Sequence, residues 1–225
     1  MSTAPVPVAI TGERKATLRG RIRWIVGVTI GYNLIEAVVS VAAGTTASSA
    51  ALIGFGLDSM VEVFSAAAVA WQFSRKDPEH YEKATLRVIA ASFFALAAYV
   101  AGNAILSLTG IFRPEHSTLG IVITSLSVIV MPFLSWFERR TGRELGSASA
   151  VADSKQTLMC TYLSAAVLIG LVLNGLFGWA WADSVAALVI GVFAIREGIE
   201  AWSGDTCATP VGVLTGDTEA HTNEQ

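Results

Sequence analysis

Residues 56–65 read GLDSMVEVFS, which places two acidic residues inside an otherwise apolar run. Asp58 and Glu62 are four residues apart, so a helix would carry both on one face. The apolar run extends over residues 48–73, and a helix of roughly 20 mostly apolar residues is long enough to cross a bilayer. Because an ionisable side chain is costly inside a membrane unless it faces a partner or a cavity, the stretch predicts a membrane helix with a functional polar face.

The composition of the chain is typical of a membrane protein. Its 225 residues are 53% hydrophobic and 15% charged, whereas soluble domains average about 25% charged residues. The mean hydropathy is +0.57. These values exclude a disordered chain, a collagen, a disulfide scaffold and a typical soluble enzyme. The net charge of −3 gives no indication of a nucleic-acid partner.

Six apolar stretches are long enough to span a bilayer, and they occupy most of the chain. The predicted fold class is therefore all-α, a polytopic membrane protein with six transmembrane helices. We expect a cytoplasmic N-terminal tail (1–21), a six-helix transmembrane domain (22–202) and a short polar cytoplasmic tail (203–225). A Gly/Ser-rich stretch predicts a flexible connection at 141–150. The predicted spans are residues 24–43, 48–73, 88–108, 119–136, 157–177 and 181–202.

The basic residues predict the orientation of the chain, because lysine and arginine are retained on the cytoplasmic side of a membrane. All of them except Arg113 fall in the N-terminal tail, in the second and fourth connections or at the end of the last span. Both termini are therefore expected in the cytoplasm, in a multi-pass protein of an inner or plasma membrane.

The spacing of Asp58 and Glu62 points to a bound cation. Their carboxylates would lie about 6 Å apart on one helix face, where they repel each other. At least one must be protonated unless a cation lies between them. A pair of carboxylates suits a hard or borderline divalent cation. The alternative is a pair of acids that hydrogen-bond to neighbouring helices.

Other polar residues in the spans extend this hypothesis. Gln156 and Cys160 are four residues apart in the fifth span, and their amide oxygen and thiol are candidates to complete the metal site, although a lone membrane cysteine also packs as a small apolar residue. Asn33 and Glu36 share a face of the first span, where Glu36 either lines the same cavity or anchors a hydrogen bond between helices. Asp183 opens the last span, as a helix cap or as an acid at the outer mouth.

The sequence offers no catalytic site. All three histidines lie outside the predicted spans, and there is no His-Glu-x-x-His, serine-nucleophile or phosphate-binding glycine motif. We therefore expect neither an enzyme nor a prosthetic group. The two cysteines, Cys160 and Cys207, are expected to be free thiols.

These patches together resemble the transmembrane domain of the cation diffusion facilitator (cation efflux) family, over roughly residues 20–202. Asp58 and Glu62 fall where that family keeps two metal ligands on its second helix. Gln156 and Cys160 fall where it keeps two fifth-helix ligands, usually His or Asp in its zinc exporters. The similarity also covers GYNLIEA at 31–37, the Ala152-Asp153 pair, and WADSVAALVIG at 181–191.

The resemblance implies a homodimer that moves a divalent cation out of the cytoplasm in exchange for protons. Asn33, Glu36, Asp153 and Asp183 would then lie behind the ligands or along the pathway. The resemblance also implies a short form of the family without its usual C-terminal cytoplasmic domain, similar to the vertebrate zinc-transporting transmembrane relatives.

The expected cargo is zinc. Carboxylates alone would accept Mn or Fe, whereas the thiol favours Zn, Cd or Co. Metal binding requires ionised acids and therefore releases protons. The competing hypothesis is a non-transporting membrane protein that binds metal or another protein and retains this fold. A channel is disfavoured, because the sequence has neither a filter loop nor a polar-lined stripe.

Overall fold

The computed structural model describes residues 12–73, 78–109, 113–145 and 148–203, which form six α-helices. The prediction of an all-α protein with six helices is confirmed. Each predicted span falls within one helix, to within two residues at the start of the second. The helices are α1 (Gly12–Thr46), α2 (Ala50–Phe73), α3 (Pro78–Leu108), α4 (Thr118–Leu145), α5 (Ala148–Phe177) and α6 (Ala180–Ser203).

Several helices are longer than the spans predicted for them. α1 begins at Gly12, inside the segment predicted as the N-terminal tail, while residues 1–11 and 204–225 lie outside the described residues. The prediction of a flexible connection at 141–150 is wrong for the residues described there, because α4 continues to Leu145 and α5 begins at Ala148. Thr141 is buried and its hydroxyl bonds back to Phe137 O at 2.8 Å, so packing outweighs the Gly/Ser composition.

The helix surfaces fit a lipid environment. Within their described residues, α1, α3, α4 and α5 are each long and apolar enough to cross a membrane. Large apolar side chains point outward, among them Trp24, Ile129 and Leu176 at 62–74% exposure. An outer face of this kind is expected where lipid tails replace water. The chain is therefore a multi-pass integral membrane protein.

The helices form a bundle of four with a pair beside it. α1 packs on α2 and α4, α4 packs most extensively on α5, and α5 meets α2. α3 and α6 pack along each other and lie against α2, and α6 also lies against α5. The main apolar core fills the space between α2, α3, α5 and α6, where Phe55, Val100, Val167 and Ile190 are at most 1% exposed.

Small residues bring α1 and α2 close together. A Cβ placed on Gly56 of α2 would lie 2.8 Å from the backbone nitrogen of Val41 and 3.0 Å from the carbonyl oxygen of Ala37. Such close backbone approaches are typical of helix contacts in membranes. Gly56 thus sets the distance between the two helices that carry the first polar residues of the site.

The helix ends form two groups. At one end, Arg14 near the start of α1 forms a salt bridge of 3.1 Å with Glu144 near the end of α4. At the opposite end, Ser49 in the turn before α2 donates a hydrogen bond to Asp183 in the first turn of α6. α1 and α4 are therefore antiparallel and α2 and α6 parallel, as an alternating up-and-down bundle requires.

Candidate metal site

Glu62 is held by hydrogen bonds from two other helices. Its Oε2 accepts from Nδ2 of Asn33 on α1 at 2.8 Å, and its Oε1 accepts from Sγ of Cys160 on α5 at 2.6 Å. The structure thus brings together one predicted ligand from the second span, one from the fifth, and a polar residue of the first. Each carboxylate oxygen of Glu62 therefore accepts one hydrogen bond. Metal binding by this group stays a prediction.

Asp58 lies one helical turn before Glu62 and is only 7% exposed. Its electrostatic neighbours are three further carboxylates, those of Glu62, Glu36 on α1 and Glu197 on α6. Four acids from three helices are therefore clustered, with Glu36 and Asp58 buried and Glu62 and Glu197 partly buried. This arrangement attracts cations, because each uncompensated negative charge raises the cost of burying the others.

The second fifth-span candidate, Gln156, lies one turn before Cys160 in α5, and Asp153 lies another turn earlier. The side chains of both lie outside the described residues. Among the side chains that are described, no three from His, Cys, Asp and Glu are grouped closely enough to hold a metal ion. The hydrogen-bonded pair of Glu62 and Cys160, with Asp58 one turn away, is therefore the core of the candidate site.

Glu36 bridges α1 and α2 and is 1% exposed. Its Oε2 accepts a hydrogen bond from the hydroxyl of Ser59 at 2.9 Å. Of the two roles left open by the sequence, a hydrogen bond between helices is therefore present. Ser127 of α4 also lies beside the Glu36 carboxylate, so three helices meet at this second acid.

Asp183 does not cap its own helix in the way expected from the sequence. α6 begins at Ala180, three residues earlier, and the Asp183 side chain is fully buried. Its oxygens accept from the Ser49 hydroxyl at 2.5 Å and from the backbone N–H of Ala51 at 3.3 Å, at the start of α2. The expectation that Asp183 caps its own helix is therefore corrected, because it caps the start of the neighbouring α2. The burial of its side chain argues against the alternative of an acid at the outer mouth.

The comparison with known families decides the identity of the domain. Residues 26–202 match the profile of the family described as the cation efflux transmembrane domain. The chain belongs to the cation efflux family. The matched region contains Asp58, Glu62 and Cys160, so the candidate site lies inside the domain that defines the family.

Relatives of the chain come from bacteria and from an animal. The chain is 26% identical over 165 residues to the cation-efflux pump FieF of Shewanella oneidensis, a match that covers 70% of this chain and 55% of that protein. It is 30% identical over 173 residues to the FieF pump of Klebsiella pneumoniae, covering 70% and 56%. It is also 23% identical over 186 residues to transmembrane protein 163 of Xenopus laevis, covering 81% and 66%. The chain thus spans between about half and two thirds of the length of these relatives.

Sequence reasoning missed several polar residues of this cation efflux domain. Glu197 lies inside the predicted sixth span, and the argument that singled out Asp58 applies to it equally, so the signal was present. Three serines had no such signal, because serine is common in membrane helices and becomes informative only when its partner is known. These serines are Ser59, Ser127 and Ser164, all buried.

Proposed function

We propose that the chain exports a divalent metal cation from the cytoplasm in exchange for protons, with Asp58, Glu62, Gln156 and Cys160 as the metal ligands. The observation that carries this proposal is the convergence of α1, α2 and α5 on the Glu62 carboxylate. Membership of the cation efflux family and the names of its relatives support the same function.

The hydrogen bond from Cys160 to Glu62 supports an exchange of metal for protons. The thiolate, and not the thiol, is the form of cysteine that binds metals. The hydrogen that Cys160 donates at 2.6 Å must therefore leave when a cation takes its place. Glu62 must likewise be ionised to act as a ligand, so each binding event releases protons and each release of metal takes them up.

Zinc is the proposed cargo. A site of two carboxylates, an amide oxygen and a thiol combines hard ligands with one soft ligand. The thiol favours Zn, Cd and Co over Mn and Fe, which the carboxylates alone would accept. Cys160 is thus the residue expected to set the preference among metals.

The proposed orientation places both termini in the cytoplasm, and the protein is proposed to act as a homodimer. Support for the orientation comes from the grouping of basic residues at one end of the bundle, where Arg14 pairs with Glu144 and Arg87 stacks over the Trp202 ring. In a Cys160→Ser background, Cys207 is the remaining cysteine. We expect a membrane-impermeant thiol reagent to label Cys207 only after the cells are permeabilised, and light scattering in detergent to give the mass of a dimer.

Flux measurements in proteoliposomes test the transport function. We expect the wild type to transport Zn²⁺ when a proton gradient drives protons in the opposite direction. Co²⁺, Mn²⁺ and Fe²⁺ should compete with Zn²⁺ for transport. Asp58→Ala should reduce flux at least tenfold, whereas Glu115→Ala, in the exposed turn before α4, should leave it unchanged. Equal flux in Asp58→Ala and the wild type would show that the site is misassigned.

A second candidate function is a metal-binding or interaction protein that keeps the fold but does not transport. It is favoured by the two hydrogen bonds that already occupy both oxygens of Glu62, and by the fifth-span residues that differ from the usual His or Asp. Calorimetry on the purified protein separates the candidates. Binding of no divalent ion would favour an interaction protein, and binding without flux a metal-binding protein.

A further inference from the structure

Glu36 lies at a buried junction of α1, α2 and α4, outside the proposed ligand set. It is 1% exposed, and its nearest polar neighbours are Ser59 at 4% and Ser127 at 0% exposure. One carboxylate oxygen, Oε2, accepts from Ser59 at 2.9 Å. The other, Oε1, is buried and has no hydrogen-bond partner. A buried carboxylate oxygen without a donor is costly, so the missing partner calls for an explanation.

Ser59 cannot supply that partner. A serine hydroxyl has a single hydrogen to donate. The Ser59 oxygen lies 2.9 Å from Glu36 Oε2 and 3.2 Å from the carbonyl oxygen of Phe55. Its hydrogen therefore serves one of these two acceptors, and in either case Oε1 of Glu36 receives nothing.

Ser127 cannot supply it either. The hydroxyl oxygens of Ser127 and Ser164 are 3.0 Å apart, and Ser164 donates its one hydrogen to the carbonyl oxygen of Cys160 at 2.7 Å. The bond between the two hydroxyls therefore uses the hydrogen of Ser127. The Ser127 hydroxyl lies beside the Glu36 carboxylate, and Oε1 of Glu36 is left without a hydrogen-bond partner.

Arg14, Arg140 and Arg196 form ion pairs with acids other than Glu36. The titratable groups in electrostatic contact with Glu36 are Tyr32 on its own helix, Asp58 and Glu62 on α2, and Cys160 on α5; α4 contributes the Ser127 hydroxyl. All of these titratable groups are acids. These acidic neighbours therefore favour the binding of a positive charge at Glu36.

We propose that Glu36, Ser59 and Ser127 form a second cation position, separate from the divalent site, which binds a monovalent cation at Glu36 Oε1. One carboxylate and neutral hydroxyl oxygens match a single positive charge, which Na⁺ or a proton supplies. The Tyr32 hydroxyl is buried close to Ser127 and offers a further oxygen. This position deepens the proposed transport function, since it gives the coupling cation a site of its own beside the acids of α2.

Thermal unfolding of the purified full-length chain tests the sodium form. The unfolding temperature is measured by tryptophan fluorescence in NaCl and in choline chloride at equal ionic strength. We expect a higher temperature in NaCl for the wild type, because a bound ion stabilises the folded state. Glu36→Gln should abolish this difference, whereas Glu115→Gln, in the exposed turn before α4, should retain it.

Infrared spectroscopy tests the alternative in which the cation at Glu36 is a proton. In that case sodium should have no specific effect on the unfolding temperature. A protonated carboxyl band should be present in the wild type and absent from Glu36→Gln. Ser127→Ala should keep this band but shift its frequency, because the acceptor of the carboxyl hydrogen is gone. A purely structural role of Ser127 would leave the frequency unchanged.

The proposal is overturned if sodium has no specific effect and no protonated carboxyl band depends on Glu36. If Glu36→Gln does not fold, Ser127→Ala alone decides the outcome. A weaker sodium effect or a shifted band supports the proposal, and wild-type values for both contradict it. Neither measurement uses a divalent ion, so this position and the proposed metal transport can fail independently.

Discussion

Asp183 of α6 accepts the hydroxyl hydrogen of Ser49 at 2.5 Å, and both side chains are fully buried. Ser49 is the N-cap of α2, since its oxygen accepts the backbone N–H of Leu52 at 3.1 Å. Asp183 also accepts the N–H of Ala51. The pair of α3 and α6 is therefore joined to the four-helix bundle at the start of α2, the helix that carries both proposed carboxylate ligands.

Asp183→Ala is expected to lower the free energy of unfolding by about 1–3 kcal/mol, because it leaves buried donors at the start of α2 without an acceptor. Ser49→Ala removes the shared bond and also the acceptor of the Leu52 N–H, so the double variant should cost more than Asp183→Ala but less than the sum of the two single losses. Chemical unfolding in detergent measures all three variants, with Glu115→Ala as the exposed control. Fully additive losses would contradict the proposed link.

Asn33 is expected to orient Glu62 for metal binding through its bond of 2.8 Å. Asn33→Ala should weaken Zn²⁺ affinity by roughly 10–100-fold, the usual effect of removing a group that fixes a ligand. Asn103→Ala is a matched control, because that asparagine donates to Tyr99 O within its own helix. Calorimetry on purified protein compares the two, and equal affinities would rule out an orienting role for Asn33.

Cys160→Ser should change the preference among metals. A serine hydroxyl can still donate to Glu62, so the fold is expected to survive, but the soft ligand is lost. We expect Zn²⁺ and Cd²⁺ to lose at least about tenfold in affinity relative to Mn²⁺, which corresponds to ~1.4 kcal/mol. Competition flux assays with paired ions measure this ratio. An unchanged ratio would mean that Cys160 acts as a packing residue, the alternative that its sequence context left open.

The sequence predicts best those structural features that depend on a single helix. The spans follow from apolar length alone, and the four-residue spacing places Asp58 beside Glu62 on one face. Contacts between helices depend on how each helix is rotated, which the sequence does not reveal. The bond between Ser49 and Asp183 joins residues 134 positions apart. Sequence patterns are local, so they predict that Asp183 caps its own helix and not the start of α2.

The close approach of α1 and α2 at Gly56 makes a prediction about both stability and binding. In Gly56→Ala the new Cβ would lie 2.8 Å from the Val41 nitrogen, and a backbone atom cannot move aside as a flexible side chain can. The two helices must separate, at a cost of about 1–3 kcal/mol. Because Asn33 and Glu62 face each other across the same pair of helices, separation should also weaken Zn²⁺ binding.

Gly31→Ala is the matched control for Gly56→Ala, since both glycines lie in membrane helices but a Cβ on Gly31 meets nothing within 4 Å. There the substitution should be neutral or should stabilise the helix by up to about 1 kcal/mol, because alanine is the better helix former. Unfolding temperature and calorimetric Zn²⁺ affinity are measured on both variants. If Gly56→Ala matched Gly31→Ala in both quantities, the contact between α1 and α2 would be too loose to position Asn33 against Glu62.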